Sequence, residues 1–194
     1  MKTVQDLHRD RVSSLFEKVL TTTRMSIVPL SVSIDCIGAE TLVQFSYEES
    51  QSDSKAIKNF SGSISTNPIR YIFDTCVDYY LEDFPNLKSV SFGSFLVRPA
   101  FVKIYQENTP KSEACVTINV RNKGPSEFVQ KGEDFLYLGF GATLSAVQFY
   151  INCEKTFRRL NFLATECSSR NRFDLYSDYI YDLSLVTEMS EYDI

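Results

Sequence analysis

The sequence has no tryptophan, only one histidine and only seven glycines among its 194 residues. A single imidazole argues against catalytic pairs and zinc sites that require two or more histidines. Scarce glycine argues against frequent close approaches of the backbone to bound ligands. His8 lies at the edge of the apolar stripe of the first predicted helix, so we interpret it as a structural residue.

Long apolar runs are also missing. No segment approaches the roughly 18 consecutive apolar residues of a membrane-spanning helix. The first residues are charged and lead straight into an amphipathic pattern, so we expect no secretory signal. The five cysteines are scattered without a CxxC pair, which indicates free thiols and therefore a cytoplasmic or other reducing intracellular compartment.

The cysteine positions argue against a thiol nucleophile. Cys115 has the opposite parity from Val116 in its predicted strand, so we expect it to be the exposed thiol. A catalytic cysteine needs a base such as histidine, and only His8 could supply one. The other cysteines fall on the apolar sides of predicted elements, where burial makes a thiol inert: Cys36, Cys76, Cys153 and Cys167.

Positive charge is in deficit, since the net charge is −5 and the pI is about 5.0. This balance disfavours an electrostatic grip on nucleic acid or on an anionic membrane, although a local basic patch can exist under a negative total. Aromatic bulk, by contrast, is ample, with fifteen phenylalanines and eleven tyrosines. With an apolar fraction of 43%, the chain can build one well-packed core and keep tyrosines for its surface.

Apolar periodicity alternates along the chain between the helical repeat of 3.6 residues and the strand repeat of 2. Asn67 precedes Pro68, an order favoured at a helix start, and Pro85 is expected to end that helix. The patterns predict, in order, a helix over 3–22, strands over 28–36 and 41–47, an exposed loop over 48–58, a short strand over 60–64, a helix over 68–85, strands over 87–97, 100–106, 114–121 and 134–140, and helices over 142–168 and 172–185.

The last two helices carry the clearest patterns. From Ala146 to Cys167, apolar residues alternate at spacings of four and three, which is typical of a helix packed along its whole length. In the final helix, the apolar face is formed by Phe173, Tyr176, Ile180 and Leu183.

The element order predicts an α+β fold, α-β-β-α-β-β-β-(β)-α-α, with a mostly antiparallel sheet and flanking helices. No linker or internal repeat divides the chain. We therefore predict a single domain over 1–186, followed by a frayed acidic tail over 187–194.

One short motif could hold a phosphate. Gly139-Phe140-Gly141 lies between a predicted strand and a predicted helix, where phosphate-binding loops occur. Leu144 occupies the place of the third glycine of a dinucleotide motif, and no P-loop lysine follows. We interpret the two glycines as loosening the strand end.

Carboxylates offer a second alternative. Asp74, Asp78 and Glu82 form an acidic stripe on the second helix, a pattern typical of a solvated face. An enzyme using Asp74 and Asp78 with Tyr80 and the backbone near 139–141 is one function hypothesis. We nevertheless predict no catalytic residue, no cofactor and no metal site, because no complete constellation is present.

A basic cluster gives a different hypothesis. Lys155 and four arginines gather near 155–172, and aromatic residues follow closely, as in nucleic-acid-binding surfaces. A nucleic-acid-associated or viral structural protein is therefore an alternative, which the net charge disfavours. The arginines of the cluster are Arg158, Arg159, Arg170 and Arg172.

The C-terminal stretch 173–194 is acidic, contains no lysine or arginine, and is rich in tyrosine, the residue type that interfaces favour. We therefore predict a non-enzymatic interaction or assembly subunit, a scaffold or oligomer component. It would bind a protein partner or itself through a sheet edge, the helix over 142–168 and this stretch. The predicted partner-binding residues are the four arginines with Tyr176, Tyr179 and Tyr181.

Overall fold

The computed structural model describes residues 4–38, 40–104, 107–189 and 192, and it has the predicted α+β class. Short 3₁₀ turns follow α1 and α2. The elements in chain order are α1 (Val4–Leu20), β1 (Met25–Ile37), β2 (Glu40–Gln51), β3 (Ser54–Ile64), α2 (Pro68–Tyr80), β4 (Val90–Ile104), β5 (Glu107–Val120), β6 (Ser126–Gly132), α3 (Phe135–Ser169) and α4 (Phe173–Thr187).

Within the described residues, six strands form two antiparallel sheets of three, in the orders β1-β2-β3 and β4-β5-β6. Helix α3 is the central element, because it contacts β1 of the first sheet, β5 and β6 of the second, and all three other helices. The core lies where the inner faces of both sheets meet these helices. Among the helices of the described chain, none combines the length and apolar composition that crossing a bilayer requires.

The predicted loop over 48–58 was wrong. β2 continues to Gln51 and β3 begins at Ser54, so the polar stretch is a hairpin. Ser52, in the turn, has a φ of 54°, and Lys55 forms an ion pair with Glu48 at 2.9 Å. The polar side chains that suggested a loop are tolerated because one face of an antiparallel sheet can contact water.

Pro99 does not separate two strands as predicted. β4 runs unbroken through Pro99, which pairs with Ser112 of β5. β4 is an edge strand, where a proline without an N–H costs no ladder hydrogen bond on its outer side. The predicted break at 108–110 was also wrong, since β5 begins at Glu107.

The predicted strand over 134–140 is instead the beginning of α3. Asp134 caps this helix, because its Oδ1 accepts hydrogen bonds from the backbone N–H groups of Leu136 and Tyr137. The strand that completes the second sheet comes earlier, at Ser126–Gly132. The start of α2 is confirmed, with the side chain of Asn67 capping it and Pro68 in its first turn.

Two cysteine predictions need correction. Cys115 does point to the outer face of its sheet, but it is buried, directly between Leu96 of β4 and Val129 of β6 in the ladder. Cys36 is exposed, because it lies near the end of β1, past the core. Cys76 and Cys153 are buried as predicted, and burial raises the pKa of both thiols. Cys167 is half-buried.

Two residues of the predicted frayed tail are packed against the protein. Met189 and Tyr192 are buried, and the ring of Tyr192 stacks on Phe157 with 4.2 Å between centroids. Residues 190, 191, 193 and 194, which also belong to that prediction, lie outside the described residues.

Candidate interaction surface

Helices α3 and α4 form a hairpin. α3 spans 35 residues, beginning seven residues before the predicted 142–168 helix, and α4 returns along it after a turn at 170–172. Asn171 takes the left-handed conformation in the turn, with a φ of 56°, and Arg172 N–H donates to the carbonyl of Cys167. The hairpin thus brings the long helix and the acidic, tyrosine-rich segment together.

The contact between the helices uses one side of each. Leu160 and Ala164 of α3 are buried, and they belong to the four-and-three spacing found in the sequence. On α4, Val186 is fully buried, while Tyr179 and Leu183 pack partly against the core. The first part of α4 differs, because every residue from 171 to 178 is exposed.

The exposed part of α4 carries an apolar row. Phe173, Tyr176 and Ile180 are spaced at i, i+3 and i+7, which places them on one side of the helix, and their exposed fractions are 63%, 36% and 42%. Tyr181 lies next to this row and is 61% exposed. We call these four residues the α4 surface. The sequence pattern placed Phe173, Tyr176 and Ile180 on one apolar face of the helix, and in the structure these three side chains are exposed.

The predicted partner-binding tyrosines divide into two groups. Tyr176 and Tyr181 belong to the α4 surface, whereas Tyr179 is half-buried and packs against the core. Phe173 and Ile180 were not predicted as binding residues, because their helical spacing is the same for a core face and for an exposed face.

Most of the predicted basic cluster is engaged within the protein. Arg170 forms an ion pair with Glu166 at 2.9 Å. Arg172 forms one with Asp174, also at 2.9 Å, which lowers the pKa of the Asp174 carboxyl. Arg159 lies over the ring of Phe162, 5.8 Å from its centroid.

Arg158 is held most firmly. It forms an ion pair with the buried Glu154, donates to the carbonyl of Asp83 at 2.8 Å and lies over the ring of Phe84. Glu154 also accepts from the backbone N–H of Asn86 at 3.2 Å. Burial raises the pKa of the Glu154 carboxyl, and the charge of Arg158 opposes that change. Arg158 therefore fastens α3 to the segment after α2.

Lys155 is the fifth member of the basic cluster and the least satisfied. Its Nζ atom is buried and has no hydrogen-bond partner among the described residues. Burial lowers the pKa of this amine, while the charge of Glu49 acts in the opposite direction. Lys155 therefore adds no exposed positive charge.

The acidic residues of α4 are not equivalent. Asp182 is buried and bound by Lys18 of α1 at 3.0 Å, and Asp174 is paired with Arg172. Asp178 is exposed, and the structure shows no ion pair for it within the described chain. It is the acidic side chain of α4 that is available to a partner.

The glycine motif is not a loop. Gly139 and Gly141 are buried inside α3. A Cβ atom on Gly139 would lie 2.8 Å from the ring of Phe95 and 3.0 Å from Cδ1 of Ile69. Gly139 therefore permits close packing of α3, and the backbone here is already bonded within a helix, which rules out a phosphate cradle formed by a strand-to-helix loop.

The other chemical candidates remain dispersed. His8 is mostly buried, and its Nε2 lies 2.8 Å from the carbonyl oxygen of Leu185 while its Nδ1 lies 3.3 Å from Glu188, so it links α1 to the end of α4. Asp74 is exposed and pairs with Arg70. In the described parts of the chain, no three histidine, cysteine or acidic residues are arranged to hold a metal ion.

The sequence matches no protein-family model, and no curated protein matches it significantly.

Proposed function

We propose that this protein is a non-enzymatic interaction or assembly subunit that binds another protein through the α4 surface. The observation that carries the proposal is the row formed by Phe173, Tyr176 and Ile180, which faces solvent. α4 already has a packed side, marked by the fully buried Val186. Contiguous apolar surface beyond what the core requires is typical of interaction sites, and aromatic side chains supply much of interface binding energy.

The charges around the row indicate the chemistry of the partner. Asp178 lies on the same helix without an ion pair in the described chain, and α4 contains no lysine or arginine. A partner segment with an apolar face and basic flanking residues would bury the row and neutralise Asp178. Such pairing of charges contributes mainly to association rate and specificity.

Nucleic acid fits this surface less well. A phosphate backbone would have to compete with Glu166 for Arg170 and with Asp174 for Arg172. Arg158 is held by buried Glu154, and the net charge of the chain is −5. We therefore expect no binding to single-stranded RNA or DNA. The measurement is made at about 50 mM salt, because phosphate contacts are strongest at low salt.

The test compares two aspartate variants of the purified, tagged protein. Ile180→Asp places a charge in the α4 surface, whereas Ile57→Asp makes the same change at an exposed isoleucine of β3. Proteins co-purified from the native cells are identified and then produced in purified form. We expect a partner whose affinity falls at least tenfold with Ile180→Asp and is unchanged with Ile57→Asp.

The opposite result is equally clear. A partner that binds both variants and the unmodified protein with equal affinity would contradict the role of the α4 surface. Circular dichroism of both variants serves as the folding control, because both isoleucines are exposed and their replacement should leave the helix content unchanged.

A further inference from the structure

The free edge of β1 is covered by side chains of α3 in place of a neighbouring strand. Asn152 accepts from the N–H of Met25 and donates to its carbonyl oxygen, both at 2.9 Å. Gln148 accepts from the N–H of Ile27 at 2.7 Å, and Tyr137 donates to the carbonyl of Pro29 at 2.9 Å. Side chains of α3 therefore bind both backbone groups of Met25, the N–H of Ile27 and the carbonyl of Pro29 on the outer side of β1.

Beyond Pro29 the side chains of α3 no longer cover β1, because this part of the strand lies past the first residue of α3. α3 begins at Phe135, only two residues before Tyr137, while β1 continues to Ile37. At about 3.3 Å per residue, roughly 26 Å of β1 extends past Pro29. Over 31–37, β1 pairs with β2 on one side, and no backbone or side-chain group of the described residues binds its other side. We call the segment 31–37 the open edge.

Past the bulge between Pro29 and Ser31, the open edge pairs regularly with β2 and has few of the features that usually protect an edge strand. Its sequence alternates polar and apolar residues from Ser31 to Cys36, contains no proline, glycine or lysine, and has Asp35 as its single charge. The other three outer strands carry such features: β3 has Lys55 and Lys58, β4 has Arg98 and Pro99, and β6 has Lys131. A regular, weakly charged edge of this kind is a template for pairing with another strand.

We propose that the open edge pairs with the open edge of a second copy of this chain, in antiparallel orientation across a two-fold axis. The β1-β2-β3 sheet of one copy and the β1-β2-β3 sheet of the other would then form one continuous sheet of six strands. This is a form of strand addition that uses backbone hydrogen bonds. This inference concerns a surface separate from the α4 surface, and it goes beyond the proposed function by naming self-association as well as partner binding.

The segment is complementary to itself. A symmetric pairing that uses the whole segment is centred on Ile34. In this register, side chains that face the core in one copy lie on the same face of the joined sheet as those that face the core in the other copy. Val32 then lies opposite Cys36 of the second copy, and Ser33 lies opposite Asp35 of the second copy. No like charges meet. Ser31 and Ile37, both exposed, form the outermost pair.

The outermost pair provides a test that depends on the register. In Ser31→Lys/Ile37→Lys, two lysines are placed directly opposite each other at each end of the interface, and like charges in that position are destabilising. In Ser31→Lys/Ile37→Glu, the same positions carry opposite charges. Both residues are exposed in the single chain, so neither double variant should disturb folding, which circular dichroism checks.

Sedimentation velocity of the full-length protein measures the outcome. We expect a dimer for the unmodified chain, a monomer for the lysine–lysine variant and a dimer for the lysine–glutamate variant. A monomeric unmodified chain, or a dimer that persists in the lysine–lysine variant, would overturn the inference. Loss of the dimer in Ile180→Asp but not in the lysine–lysine variant would also overturn it, by assigning self-association to the α4 surface.

Discussion

Asn152 of α3 binds both backbone polar groups of Met25 of β1, with its Oδ1 accepting from the N–H and its Nδ2 donating to the carbonyl, each at 2.9 Å. Both residues are buried, so neither backbone group can turn to water. A single side-chain amide thus supplies the pair of hydrogen bonds that a neighbouring strand would otherwise provide. This contact attaches the first sheet to the central helix.

The first prediction follows from this contact. Asn152→Ala leaves the N–H and the carbonyl of Met25 buried without partners, and each such group costs about 1–3 kcal/mol. We expect the free energy of unfolding to fall by at least about 2 kcal/mol in urea denaturation. Hydrogen exchange of the Met25 amide should accelerate. Asn152→Asp keeps the acceptor and loses the donor, so the exchange rate of that amide should change less.

The second prediction concerns Lys155. Its ammonium group is buried without a hydrogen bond among the described residues, so Lys155→Met should raise the free energy of unfolding by about 1–3 kcal/mol. Lys123→Met, at an exposed lysine, is the matched control and should change stability little. Equal effects of the two substitutions would show that the amine of Lys155 is solvated.

The same substitution predicts a dependence on pH. Burial lowers the pKa of Lys155 in the folded protein below its ordinary value of 10.5, so folding favours the neutral amine. The cost of the buried charge is therefore fully present below the folded pKa and disappears as pH rises towards 10.5. Chemical denaturation should therefore show that Lys155→Met raises the free energy of unfolding by less at high pH than at pH 7.

The third prediction separates two neighbouring glycines. Gly139→Ala would place a methyl group against Phe95 and Ile69 in the core, and we expect a loss of about 1–3 kcal/mol. The three atoms nearest to a Cβ on Gly141 all belong to the end of the Gln130 side chain, which can move. The better helix propensity of alanine should then keep the effect of Gly141→Ala within about 1 kcal/mol. If the glycines belonged to a ligand-binding loop, both substitutions would instead weaken ligand binding, and the two variants would have the same free energy of unfolding.

The sequence was sufficient for the α+β class, the capped start of α2 at Asn67 and the packing side of α3. Prediction from sequence failed where the local sequence favours one conformation and tertiary contacts stabilise another. The polar segment 48–58 is indistinguishable from a loop until β2 and β3 pair, and Pro99 is compatible with a strand only because β4 is an edge.

The candidate surface shows the same limit. Helical spacing identified Phe173, Tyr176 and Ile180 as one face but could not show which way it turns. The spacing of Glu154 and Arg158 predicted their ion pair, which is confirmed, but it could not show that Glu154 is buried. The direction of that face depends on how α4 folds back along α3, and the burial of Glu154 depends on the segment after α2, neither of which local pattern encodes.

The central claim is that the α4 surface contacts another protein, and photo-crosslinking tests it most directly. A benzophenone amino acid is introduced in place of Ile180 or, as the control, in place of Ile57, and the full-length protein is irradiated in its native cells. The account predicts a discrete crosslinked protein, identifiable by mass spectrometry, from the position of Ile180 and not from that of Ile57. Identical crosslinking patterns from the two positions would contradict it.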